Sequence, residues 1–150
     1  MKALWVKMRR NGLAAIAVAA SVMAAPVSAE APDYAAEWLG RSDEARVEVV
    51  TAVIEAKRRQ FERQKNDDRI ENRTIAVAFL TCFSEKPLDT ASIEALSAGL
   101  TQHYGRPNTA CASPDHYVGM ALLNRCKSQL QAELQRAGLP EPTTWSVKCG

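Results

Sequence analysis

The sequence predicts an all-α domain, a small bundle of about four helices with an extended C-terminal strap, stapled by disulfide bonds. Three observations predict this fold class. Apolar residues recur at spacings of three and four along most of the chain after residue 42, which is the period of one helix face. Capping residues and glycine or proline stops bracket these stretches. Four cysteines, an even number, lie in the same part of the chain.

Residues 1–29 have the pattern of a secretory signal peptide. A basic region precedes an apolar run of about 13 residues, and small residues stand before a cleavage site between Ala29 and Glu30. That run is shorter than the roughly 20 residues that a spanning helix needs. We therefore expect a periplasmic or secreted protein with no stable membrane anchor after cleavage. The pair Arg9-Arg10 leaves the choice between the general secretory and the twin-arginine route open.

Residues 30–150, the mature chain that remains after cleavage, have the length of one ordinary domain. The charge of this mature chain argues against a nucleic-acid partner. The whole sequence holds 19 basic and 17 acidic residues, and the signal takes away four basic and no acidic ones, which leaves a net charge of −2. The basic residues between Lys57 and Arg73 alternate with acidic ones, as on a solvated helix face. We expect no nucleic-acid binding.

The first half of the mature chain predicts one turn and one long helix. Asp33 caps a turn that carries Tyr34 and Trp38, and Ser42-Asp43-Glu44 begins the helix. Asn66-Asp67-Asp68 contains poor helix formers and predicts a break. The inward face of the long helix is predicted to hold Val47, Val50, Ile54 and Phe61.

Of the next two segments, the first has an ambiguous pattern and the second has a clear one. Ile70–Phe83 fits a helix face and also alternates as a strand would. We favour a helix, because no second strand of comparable quality is present for pairing and a lone strand is not stable. After Pro87, Asp89 or Thr90 caps a further helix that ends before Gly105.

The best-delimited helix is predicted from Cys111 to Gly138. Ser113 is a capping residue, and Pro114 at the first position lacks an N–H that would have no partner there. Gly138 can adopt the left-handed conformation that closes a helix. One apolar stripe, which places Cys126 inward, consists of Leu123, Cys126, Leu130, Leu134 and Ala137.

The tail after Pro142 is predicted to be an extended strap. Trp145, Val147 and Cys149 alternate with polar residues, so they share one face of an extended chain. We expect Trp145 and Val147 to lie on a helix.

The four cysteines are Cys82, Cys111, Cys126 and Cys149, and we predict the pairs Cys82–Cys111 and Cys126–Cys149. Cys111 and Cys126 are separated by most of a helix, about 20 Å, which is too far for one bridge. Cys149 would need to retrace the entire helix to reach Cys111, but only half of it to reach Cys126. The remaining pair follows by elimination.

No catalytic or metal-binding motif is present in the sequence. His103 and His116 are the only histidines, and with Asp115 they would make a minimal metal site. Helix-surface histidines are the commoner outcome, so we predict no catalytic residue, metal or cofactor. Trp38 and Trp145 are candidates for a partner surface, although for Trp38 we favour a core position.

One resemblance rests on the entry Trp38-Leu39-Gly40-Arg41-Ser42-Asp43-Glu44 into a helix with Arg46, Val47 and Val50. This layout, followed by a cysteine-bridged helical body, resembles small periplasmic proteins of the acid-chaperone HdeA kind and of the Tai-type immunity kind. The resemblance implies a non-enzymatic protein that acts through a surface or an exposable apolar face.

These observations lead to one expected function and two alternatives. We expect a non-enzymatic helical protein that acts by contact with another envelope protein, as a binding, inhibitor, immunity or chaperone-like module. One alternative is an accessory subunit of an envelope assembly. The other is a small periplasmic enzyme that uses His103 and His116.

Overall fold

The computed structural model describes residues 32–141, and this range contains six helices and no strand. The predicted all-α fold is confirmed, and the segment left open between helix and strand lies in the third helix. Within this range no helix combines the length and the apolar character that crossing a bilayer requires. The helices are α1 (Tyr34–Leu39), α2 (Asp43–Gln64), α3 (Ile70–Glu85), α4 (Thr90–Tyr104), α5 (Pro114–Arg125) and α6 (Lys127–Arg136).

Several predictions from the sequence fall outside the described residues. They are the signal peptide of residues 1–29, its cleavage between Ala29 and Glu30, and the strap with Trp145 and Cys149. These remain predictions from the sequence.

Local capping begins three helices where the sequence predicts it. Ser42, Asp89 and Ser113 each accept a hydrogen bond from the backbone N–H three residues further on, at 3.2, 2.8 and 3.2 Å. Each cap satisfies one of the N–H groups that a helix start leaves without a partner. Gly138 has a φ of 66° just after α6, so the left-handed stop is present as well.

The helix predicted from Cys111 to Gly138 is two helices in the structure. Cys126 has φ −99° and ψ 10°, so α5 ends just before it and α6 begins just after it. The hydrogen-bond ladder continues across the break, because Cys126 donates to the Leu122 carbonyl and accepts from the Leu130 N–H. On either side of this residue the packing differs, since α5 lies against α2 and α4 whereas α6 lies against α3.

The disulfide pairing predicted from the sequence is wrong. Cys82 of α3 is bonded to Cys126, with their Cα atoms 5.6 Å apart. This bond excludes both Cys82–Cys111 and Cys126–Cys149. The reach of the tail along one helix does not determine the pairing, because the packing of α3 on α6 brings Cys82 to the break. The presence of a disulfide bond is confirmed.

The main core lies between α1, α2, α3, α4 and α5. At one end Trp38 is 1% exposed, and its Nε1–H donates to Thr101 Oγ1 at 2.9 Å. Trp38 is therefore a core residue, which confirms the favoured expectation, and the alternative that it belongs to a partner surface is wrong. Its indole also lies 6.1 Å from the ring of Tyr104, between ring centres. A smaller cluster on α3 and α6 consists of Ala78, Leu130 and Leu134.

Arg46 fixes α1 against the start of α2. Its guanidinium donates to the carbonyl oxygens of Trp38 and Leu39, at 3.1 and 2.8 Å, and to Asp43 Oδ1 at 3.0 Å. The bond to Leu39 gives a partner to a carbonyl at the end of α1, and the bond to Trp38 adds a second donor to a carbonyl that also accepts from the Arg41 N–H. The short α1 is thereby held over the core by a side chain from the next helix.

Candidate functional site

The candidate site is a cleft of about 260 Å³ where α2, α3 and α5 meet, here called the α2–α3–α5 cleft. Each helix contributes part of its inward edge, at the border between buried and exposed positions. Its lining residues are Lys57, Gln60, Phe61 and Gln64 from α2, Asn72, Ile75 and Phe79 from α3, and Gly119 and Leu122 from α5.

The floor of the cleft is aromatic and rigidly packed. The rings of Phe61 and Phe79 are stacked, with centres 4.5 Å apart and planes 4° apart. Phe83 packs against both rings at 6.2 Å in a tilted arrangement. Leu122, which is 2% exposed, completes the floor from α5. Stacked and tilted aromatic rings of this kind hold one another in place, so the floor is preformed.

The rim of the cleft is polar, and one side of it is fixed by charge. Lys57 Nζ donates to Asp115 Oδ2 at 2.8 Å, which joins α2 to the first turn of α5. On the α3 side, Asn72 Nδ2 donates to Asp67 Oδ2 at 2.9 Å. Both polar groups are therefore oriented by partners that lie outside the cleft.

Two rim amides have no such partner. The side chains of Gln60 and Gln64, one turn apart on α2, make no hydrogen bond within residues 32–141. Each amide has an oxygen that accepts and an NH₂ group that donates. These two side chains can therefore bond either kind of polar group on an incoming molecule.

Gly119 has no side chain, so the α5 wall of the cleft has open space at this position. A Cβ built at this position would meet only Lys57 Cε, at 3.9 Å, which is an ordinary contact. The absence of a side chain here is thus a source of open volume and is not required by close approach of two backbones. Substitution at Gly119 is a direct way to fill the cleft.

The dimensions of the cleft suit one large apolar side chain. A dry apolar cavity of about 150 Å³ holds a molecule of benzene, whereas whole small-molecule ligands occupy about 300 to 1,000 Å³. A cleft of about 260 Å³ lies between these two cases. The free amides at its edge match the donors and acceptors of a peptide backbone. The arrangement is therefore able to hold an apolar side chain of a peptide and to bond the backbone on either side of it.

The two histidines, His103 of α4 and His116 of α5, lie near one another where these helices pack together. The ring of His103 contacts the rings of Tyr104 and Tyr117, with centres 5.6 and 5.2 Å apart. Burial lowers the pKa of His103, and the charges of Arg106 and His116 lower it further. Its Nε2 is buried and has no hydrogen-bond partner among the residues that the structure describes.

Asp115, the third candidate ligand of the conceivable metal site, has a different partner. Asp115 is bonded to Lys57, as described above. Among residues 32–141 no group of three or more histidine, cysteine or acidic side chains is close enough to hold a metal ion. The structure thus places the two histidines near each other, while the neighbouring carboxylate of Asp115 is bonded to Lys57.

The cleft was missed by sequence reasoning, although part of its pattern was present. The sequence predicts an inward position for Phe61 and a solvated face for Lys57. Gln60 and Gln64 flank Phe61 at helical spacing, so an amide pair beside an apolar stripe was a readable signal. The contribution of Gly119 from a distant helix was not readable.

Comparison with protein-family models, with curated proteins and with solved structures finds no match for this chain.

Proposed function

We propose that this chain is an exported, non-enzymatic binding protein that captures a segment of another envelope protein in the α2–α3–α5 cleft. The observation that carries the proposal is an apolar aromatic floor beneath two unbonded glutamine amides. An apolar side chain of the partner enters the cleft, and Gln60 and Gln64 bond its backbone. The proposal that the protein is exported rests on the signal-like sequence of residues 1–29.

Energetics favour a single anchoring side chain as the main contact. Complete burial of a large apolar side chain is worth about 1.5 to 3 kcal/mol. Interfaces commonly derive most of their affinity from a few such anchors in preformed pockets, surrounded by contacts that exclude water. Because the floor of stacked rings is already ordered, little conformational entropy is lost in preparing it.

A photocrosslinking experiment tests the proposal in cells that export the protein. A photoreactive amino acid replaces Gln64 at the cleft rim in one variant and Glu62, an exposed position on the same helix, in a matched control. A third variant combines the Gln64 probe with Gly119→Leu, which fills the cleft. We expect a defined protein adduct from the Gln64 probe, no such adduct from the Glu62 probe, and loss of the adduct when Gly119 is replaced.

Two results would contradict the proposal. One is an adduct that forms equally from both positions or persists with Gly119→Leu, because the contact would then not depend on the cleft. The other is turnover of a substrate by the purified protein, which would favour an enzyme.

A further inference from the structure

A second groove runs along α5 and α6, on the side where the chain leaves the last helix. It has a volume of about 230 Å³. Leu123, Leu130 and Leu134 supply its apolar surface, and Lys127 and Gln131 form its edge. The groove crosses the break at Cys126, so it extends over parts of both helices.

The chain itself turns back toward this groove after α6. Gly138 has a φ of 66°, and the N–H of Leu139 donates to the Leu134 carbonyl at 2.9 Å. Gln131 Nε2 then donates to Glu141 Oε1 at 3.0 Å. Glu141 therefore lies beside a residue ten positions earlier, and the chain has reversed its direction along α6.

The cysteines indicate where the reversed chain goes. Cys82 and Cys126 are bonded to each other, which accounts for two of the four cysteines of the sequence. Cys111, just before α5, is also disulfide-bonded. The one cysteine left to pair with it is Cys149, eight residues after Glu141. We propose that the groove along α5 and α6 is the seat of residues 142–150, which a Cys111–Cys149 disulfide holds in place.

The length of the segment fits this path. From Gln131 back to Cys111 is twenty residues of mostly helical chain, about 30 Å at 1.5 Å per residue. Eight residues from Glu141 to Cys149 reach about 26 Å when extended, and a disulfide adds about 5.5 Å between Cα atoms. The path along the helices and the combined reach of the segment and the disulfide agree only if the segment is extended over its whole length. Extended backbone is also what its alternating sequence favours.

A comparison of distances along the extended segment and along the helices puts Trp145 at the groove in this proposal. Trp145 follows Glu141 by four residues, about 13 Å of extended chain, and Leu123 precedes Gln131 by eight residues, about 12 Å of helix. In an extended chain Trp145 shares a face with Cys149, because they are four residues apart. If Cys149 points to Cys111, Trp145 points to α5 and covers Leu123.

Peptide mapping of the unreduced mature protein tests the bridge without any variant. After blocking free thiols and digesting the protein, we expect one linked pair of peptides with Cys82 and Cys126 and another with Cys111 and Cys149. A blocked thiol on Cys149, or Cys111 in any other linkage, overturns the proposal.

The seat on the groove is tested by two neighbouring substitutions. Trp145→Ala removes the side chain that faces α5, and Thr144→Ala changes the adjacent side chain on the opposite face of the segment. We expect Trp145→Ala to lower the unfolding midpoint and to raise the fluorescence of an apolar dye, and Thr144→Ala to change neither. Equal effects of the two substitutions would show that the segment does not lie on the groove.

Discussion

Cys82, near the end of α3, is bonded to Cys126, the single residue between α5 and α6, and both side chains are fully buried. The bond lies where the two hydrophobic clusters meet. Cys82 and Cys126 belong to the larger cluster, and Ala78 of α3 and Leu130 of α6, each four residues away, belong to the smaller one. One covalent link therefore fixes the helix break against α3 and holds the two parts of the core together.

Removing this bond is expected to lower the free energy of unfolding substantially. The bridged residues are 44 positions apart, and in the loop-entropy model a loop of that length is worth about 4 kcal/mol. We expect the double variant Cys82→Ala with Cys126→Ala to show this loss in urea unfolding monitored by circular dichroism. An unchanged unfolding midpoint would mean that helix packing alone fixes the break.

Thr101 is expected to matter because it is the acceptor for the indole of Trp38. Thr101→Val keeps the shape of the side chain but leaves the buried Nε1–H without a partner, at a cost of about 1 to 3 kcal/mol. Thr101→Ser is the matched control, because it retains the hydroxyl group. Urea unfolding of the two variants compares them directly. Equal destabilisation by both would assign the effect to packing and not to the hydrogen bond.

Much of the fold was predictable because its signals are local. The caps at Ser42, Asp89 and Ser113 act within one turn and were read correctly. The predicted break at Asn66-Asp67-Asp68 is also present. There Asp67 accepts bonds from Asn72 and from the backbone and side chain of Arg69, which together lower the pKa of its carboxyl to about 2.

The errors concern features that only tertiary packing determines. No local signal shows that Cys126 interrupts a helix, because its neighbours are good helix formers and the apolar stripe continues through it. The interruption coincides with a bond to Cys82 from another helix. The cleft was missed for the same reason, since Gly119 reaches Phe61 and Phe79 only through the packing of α5.

Two helical glycines are expected to respond differently to alanine. At Gly119 a Cβ fits without a clash, so Gly119→Ala should raise the free energy of unfolding by about 0.5 to 1 kcal/mol through higher helix propensity. At Gly99 a Cβ would lie 2.8 Å from Tyr117 Oη. Tyr117 would then have to shift against the ring of His103, so Gly99→Ala should lose that gain. Thermal unfolding of both variants measures the difference, and equal gains would contradict the close approach of Gly99 and Tyr117.

Stability is expected to fall in mild acid, and His103 is one cause. Burial, Arg106 and His116 lower the pKa of His103 from its ordinary value of 6.5. Below pH 6.5 the unfolded chain therefore binds a proton that the folded protein does not. The contribution of a neutral His103 is complete above that pH and is lost as the pH falls through the folded pKa.

Substitution of His103 by a side chain that does not titrate isolates this effect. We expect His103→Gln to reduce the difference between unfolding midpoints measured at pH 7.5 and at pH 5, because no proton is then taken up on unfolding at this position. Gln102→Ala, at an exposed neighbouring position on α4, is the matched control and should retain the full difference. If His103→Gln and the unsubstituted protein lose the same stability between the two pH values, protonation of His103 does not weaken the packing of α4 against α5.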